Sequence, residues 1–171
     1  FERATTRDAD STALLQRFGV PDVRTGPDLL FGWTGRARRA VQASQPQPAR
    51  LALAGELMDN VYVARGIRDP ASKFYMAVAG QDIDLLLMSD DDVSHAQRLR
   101  PLLAQAGATV SLQDLRGRGF DALVHAFSQY RALVTTRFHG LVMALICQVP
   151  VLALDGPDGK KSRLLRYLSS D

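Results

Sequence analysis

The 171-residue chain has a single cysteine, a single tryptophan and three histidines. With only Cys147, which lies in the apolar run LVMALICQV, no disulfide framework can form, and a cysteine so placed reads as a small buried hydrophobe. That usage fits a reducing compartment and a cytoplasmic location. No stretch approaches the roughly 20 apolar residues that span a bilayer, and the first residues lack the layout of a signal peptide. Charge of one sign is nowhere gathered into a run: 21 basic and 18 acidic residues are dispersed along the chain. The resulting formal charge of +3 and pI near 9.4 suit small anionic ligands and give no footing to a nucleic-acid partner. Zinc-ligand spacing, a Walker loop, a GxSxG elbow and a GxGxxG fingerprint are all missing, which removes the usual support for hydrolase and dinucleotide readings. There is no internal repeat and no low-complexity tract. The chain starts at Phe1 rather than methionine, so it is expected to be trimmed or to be one part of something longer.

What is present is a core: 46% of the residues are hydrophobic, ample for one globular domain of this length. Short apolar runs alternate with longer amphipathic ones, the pattern of βα units. DADSTALLQRFG predicts a helix with Leu14, Leu15 and Phe18 on one face and Gly19 as its stop, and PDVRTGPDLLFGW a short strand and a turn. Residues 35–50, rich in Arg, Ala, Gln and Pro, read as an irregular linker. RLALAG is a strand, and PASKFYMAVAGQ a helix begun at Pro70. DIDLLLMS is a continuous apolar strand of the kind buried in parallel sheets, and DDDVSHAQRLRPLLAQAG a helix that kinks or restarts at Pro101. ATVSL, RALVTT and VPVLAL are further strands, separated by the helices FDALVHAFSQY and RFHGLVMALICQ, the second apolar all round. DGPDGKKSRLLRYL closes the chain as a glycine-rich loop and an amphipathic helix. The expected fold is α/β: one open parallel sheet with helices on both faces, Rossmann-like.

Ligands of such sheets bind beyond the carboxyl ends of the strands. Ser89 to Asp92, Arg116 and Arg118, Arg137 and His139, and Asp155 to Lys161 all fall on that edge. With Thr136 as N-cap, Arg137 and His139 take the first and third helical positions, beside unpartnered backbone N–H groups at the positive pole of the dipole. A guanidinium there can grip two oxygens of a phosphate or carboxylate. Read instead as a solvated surface residue, Arg137 is a cation at the wrong pole. Gly140 inside a helix fits close approach of a ligand or a neighbouring backbone, or tight packing of two helices. DGPDGKK is either a loop that closes over an anion with Lys160 or Lys161, or an ordinary glycine turn. Asp90, Asp91 and Asp92 read first as a favourable helix start and only secondarily as oxygen ligands for a metal. His95 and His125 read as helix-surface or groove residues.

ALVTTRFHGLVMALICQVPVLAL, followed by KK, resembles the C-terminal signature of the polysaccharide pyruvyl transferase family: arginine, an aliphatic residue, histidine, a small residue, a buried helix, a GVPV-like strand and a downstream lysine. TRDADSTALLQRFGV and GPDLLF resemble two earlier segments of that family, so the likeness runs through nearly the whole chain. Phe138 stands where leucine is usual, and Gln148 where glycine is common. The resemblance implies one half, the C-terminal one, of a two-domain GT-B-like enzyme, with Arg7 and Asp8 near the junction. It implies transfer of a pyruvyl group from phosphoenolpyruvate to two hydroxyls of a sugar, as a cyclic ketal, in the assembly of cell-envelope or exopolysaccharide. His139 is then the catalytic acid or base, and Arg137, Phe138, Gly140, Arg7, Lys160, Lys161 and Ser89 bind substrate. No metal or cofactor is demanded. The partners implied are the small donor and a sugar or lipid-linked saccharide acceptor, the latter met at the inner face of the membrane, with self-association left open. Two competing readings remain: a nucleotide-sugar glycosyltransferase half, and a non-catalytic binding or assembly module.

Overall fold

The computed structural model describes residues 4–6, 9–26, 29–37, 50–154 and 159–168. Arg7, Asp8, most of the expected 35–50 linker and the loop at 155–158 therefore lie outside the described residues. The chain divides into two compact units, Phe1–Arg36 and Ala37–Asp171, and the division falls inside the stretch read as a linker.

The first unit is a small βαβ arrangement. Strand β1 (Ala4–Thr6) pairs in parallel with β2 (Val23–Thr25), and helix α1 (Ala9–Arg17) joins them. Gly19 ends the helix region at φ 79, as expected of a glycine stop. Leu14 of α1 is 46% exposed and Phe18, just past its end, 76%, and no residue of the helix is buried. A 3-10 turn, Leu29–Trp33, follows β2.

The second unit carries the expected open parallel sheet. Its strands are β3 (Arg50–Ala54), β4 (Asp82–Leu87), β5 (Thr109–Asp114), β6 (Tyr130–Thr135) and β7 (Val151–Ala153), ordered β5-β4-β3-β6-β7. All four neighbouring pairs are parallel. The chain builds outward from β3 to β5, then returns to the other side of β3 to place β6 and β7. That reversal sets the topological switch point between β3 and β6, the place at which open α/β sheets receive ligands beyond the carboxyl ends of their strands.

The helices around the sheet are α2 (Val61–Gly66), α3 (Lys73–Val78), α4 (Asp91–Gln105), α5 (Phe120–Phe127), α6 (Phe138–Cys147) and α7 (Lys160–Leu168). Helix α6 has seven of its ten residues buried, in keeping with an apolar pattern that has no polar face. Among the described residues no helix is long and apolar enough to cross a membrane.

Four local expectations are corrected. Helix α3 starts not at Pro70 but after Ser72, whose Oγ accepts the Tyr75 N–H at 3.0 Å and so caps the first turn. Helix α2, missed in the sequence, is capped in the same way by Asn60, which accepts the N–H groups of Tyr62 and Val63. Of the kink or restart expected at Pro101, the restart does not occur: helix α4 runs unbroken through it, and Leu99 and Leu103, both buried, anchor it on either side of the lost donor. Strand β4 is not wholly apolar, since Asp84 is buried within it and paired with Arg50 at 2.8 Å.

Candidate active site at the carboxyl edge of the sheet

The loops leaving β3 and β6 interlock at the switch point. Thr136 donates its N–H to the Ala54 carbonyl at 3.1 Å, and its hydroxyl accepts the Glu56 N–H at 2.8 Å. This crossing requires Gly55, which sits at φ 89: a Cβ there would overlap Thr136 Oγ1 and come within 2.9 Å of Arg137 Cγ. Thr135, fully buried, uses its hydroxyl to accept the Arg137 N–H at 2.9 Å. The Thr136 hydroxyl is thus engaged away from the helix. The N-cap of α6 is consequently Arg137 (φ −83, ψ 131) rather than Thr136, and His139 falls at the second helical position rather than the third.

No side chain caps this helix start. Its first turn puts the positive end of the helix dipole at the carboxyl edge of the sheet. The wrong-pole cation has a local explanation. Arg137 Nε and Nη2 both donate to Asp92 Oδ1, at 2.9 and 2.8 Å, and Nη2 lies 3.3 Å from Glu56 Oε1. Asp92 is 2% exposed, and its other oxygen accepts the N–H groups of Met88 and Ser89 at 2.8 and 2.9 Å. A single buried carboxylate thus ties the β4–α4 turn to the start of α6. The Nε–Nη2 edge of Arg137 is spent on this tie.

Lys161, on α7, reaches the same place. It is 6% exposed, and its ammonium donates to the Thr136 carbonyl at 2.9 Å. His139 is exposed, with its ring edge-on to that of Phe138 at 5.7 Å and 84°. At Gly140 a Cβ would lie 2.6 Å from Thr135 Oγ1, so the glycine makes room for the buried hydroxyl at the strand end. Ser89 sits on the same edge, with a buried Oγ that has no hydrogen-bond partner. Of the remaining sequence candidates, Arg7 lies outside the described residues, as does the side chain of Lys160. Arg116 is committed to Asp114 at 2.6 Å and Asp90 at 2.7 Å, and the hydrogen bonds from its guanidinium and its backbone N–H to Asp114 hold that carboxyl down at about 2.

Gly55 and Glu56 were not singled out in the sequence, and Asp92 reads there as part of an acidic helix start or as an oxygen ligand, not as the partner of Arg137. For Asp92 the signal was there: Ser89-Asp-Asp-Asp92 has the spacing of a capping box, in which the last acid reaches back to an earlier amide. For Gly55 and Glu56 the signal was their place directly after the central strand.

The fold and this edge define the class: a Rossmann-like α/β protein whose polar side chains converge at the switch point of its sheet. Within that class the chain belongs to the polysaccharide pyruvyl transferase family, which it matches over residues 1–158. The family is one of transferases, and it places the chain in polysaccharide biosynthesis. None of the curated proteins with which the chain was compared matches it.

Proposed function

We propose that the chain supplies the donor side of a pyruvyl transfer from phosphoenolpyruvate to two hydroxyls of a sugar or lipid-linked saccharide, giving a cyclic ketal and phosphate in cell-surface polysaccharide assembly. The observation that carries this reading is the meeting of two distant family motifs: Lys161 of the downstream KK bonds the Thr136 carbonyl, immediately beside the uncapped helix start and Arg137. Together they offer two cations and a set of amides to one dianionic ligand. Lys160, Ser89 and Arg7 would add contacts to the same donor, and Phe138 and Gly140 would line its seat.

His139 is the exposed titratable group nearest that helix start and takes the proton role. Protonation of the enol methylene makes the central carbon electrophilic, and one sugar oxygen attacks it. Phosphate leaves, and the second oxygen closes the ring. The two hydroxyl protons are accounted for, one on the new methyl group and one on the released phosphate.

The test is a thermal-shift comparison of phosphoenolpyruvate with nucleoside diphosphate sugars. Stabilisation by phosphoenolpyruvate, lost in Arg137→Ala and weakened in Arg137→Lys, supports the reading; the lysine variant keeps a cation opposite Asp92 and so guards against simple misfolding. Stabilisation by the nucleotide sugars alone would identify a glycosyltransferase half instead, and a response to neither class would leave a binding or assembly module. In an active full-length form, His139→Gln should lower turnover by about 100-fold or more with little change in donor affinity. Unchanged turnover removes His139 from the mechanism.

A further inference from the structure

A second cluster of chemistry-bearing side chains lies beyond β3. The 3-10 turn Leu57–Asp59 is preceded by Glu56, and the three-residue period of such a turn eclipses positions i and i+3, which brings Glu56 and Asp59 to the same side. Helix α4 packs against this turn and contributes His95. One ligand atom from each of Glu56, Asp59 and His95 lies within 4.8 Å of the other two.

Two further facts bear on what this cluster does. The Nδ1 of His95 is buried and has no hydrogen-bond partner, a cost that a folded protein seldom leaves uncompensated. The two carboxylates, in turn, are only loosely engaged. Glu56 stands 3.3 Å from Arg137, whose short bonds go to Asp92, and Asp59 stands 3.8 Å from Arg98. Both distances exceed the roughly 2.7–2.9 Å of a charge-assisted hydrogen bond.

We propose that Glu56, Asp59 and His95 form a binding site for a divalent transition-metal cation, with Zn2+ as its best probe. One imidazole nitrogen and two carboxylate oxygens are a mixed donor set that zinc accepts, whereas Mg2+ and Ca2+ favour oxygen throughout. The charges match, since two carboxylates balance a divalent ion beside a neutral imidazole. Zinc bonds of about 2.0–2.1 Å place tetrahedral ligands roughly 3.3 Å apart, so the side chains must draw in from their present spacing. The carboxylates can do so, with side-chain exposures of 42% for Glu56 and 53% for Asp59. Three protein ligands leave a position for water. The site shares Glu56 with the Arg137 ion pair, but no step of the pyruvyl chemistry runs through it, and it stands whether or not that chemistry is correct.

The test is calorimetric titration of the chelator-treated 171-residue chain with Zn2+, together with Co2+ substitution read by visible absorption. The expected result is one saturable ion per chain, visible bands characteristic of nitrogen–oxygen ligation, and a loss in affinity of about tenfold or more in His95→Ala and Asp59→Asn. His125→Ala, an exposed histidine on α5, should bind as the parent does. Absence of saturable binding overturns the proposal, as does equal binding by the His95 and Asp59 variants. Should His95→Ala fail to fold, Asp59→Asn decides the matter alone, because its side chain is half exposed and carries only a loose ion pair.

Discussion

Two aspartates, Asp84 and Asp92, are each 2% exposed and each paired with an arginine, yet they lie at opposite edges of the same sheet. Asp84, in the amino half, meets only side chains. Arg50 reaches it at 2.8 Å from β3, the Tyr130 hydroxyl donates to it at 3.1 Å from β6, and Arg50 extends to Ser111 of β5 at 3.2 Å. The group stitches four strands together and ends there. Asp92, at the carboxyl edge, instead binds two backbone amides of a turn and the arginine that opens α6. One pair joins strands, whereas the other fixes a loop and the cation beside an uncapped helix start. Similar electrostatics thus serve cohesion at one edge and pre-organisation at the other.

The sharpest way to break this contrast is Asp84→Ala. It leaves the Arg50 charge and the Tyr130 hydroxyl without their acceptor and should lower unfolding stability by about 3–4 kcal/mol, near the low end for a broken buried pair because Arg50 is partly exposed. Urea unfolding measures the loss. The relative stabilisation by phosphoenolpyruvate should survive it, and a vanished donor response would show that the amino edge also shapes the site.

Asp92→Asn is the counterpart. Removal of its charge weakens four hydrogen bonds and should cost about 2–3 kcal/mol, the scale of a charge-assisted contact in a partly buried setting. Here the donor response should shrink along with the stability, because Arg137 loses the anchor that orients it. A full donor shift in the variant would mean that Asp92 is as purely structural as Asp84.

The sequence made the sheet legible because each strand is a short apolar run that ends where an amphipathic one begins. It also put Arg137, His139 and Lys161 on the carboxyl edge, since that edge follows from strand direction alone. Asp84 escaped because the strand around it is buried on both faces, so that no alternation marks one residue as different. Asp92 escaped for another reason: an acid in the first turn of a helix is explained by the dipole, and its arginine lies 45 residues away along the chain. The Leu57–Asp59 turn is too short for a hydrophobic period to show in the sequence.

Alkaline titration also probes the amino edge. Burial, and then the Asp84 charge, push the Tyr130 phenol above its usual range, and burial alone pushes the Cys147 thiol up to about 12 from an ordinary 9.0. Both groups hold their protons longer in the folded chain than in the unfolded one. The stability so gained is complete below pH 9 and drains away as pH rises, first as the unfolded thiol ionises and then, from about pH 10, as the unfolded phenol does. Tyr130→Phe should cost about 1 kcal/mol at neutral pH and flatten the loss above pH 10, while the thiol's share between pH 9 and 12 remains. Unfolding free energies measured across that range check both parts, and an unaltered alkaline slope in the variant would detach Tyr130 from the network.

The smallest expected effect falls at the far end of α6. Gln148, its C-cap, has φ 59 and ψ 31, and it is the one non-glycine residue with a positive φ among those described. An L side chain in that region costs about 1 kcal/mol or more, and the greater freedom of glycine in the unfolded chain offsets part of what its substitution recovers. Gln148→Gly should therefore stabilise by about 0.5 kcal/mol and raise Tm by roughly 1–2 °C. The position lies on the amino side of the sheet, separated from Arg137 by the ten residues of the helix. A raised Tm with an unchanged donor response would leave the two edges energetically independent. A donor response that moves with it would mean that α6 carries strain from one edge to the other, and that its buried apolar surface is part of how Arg137 and His139 are held.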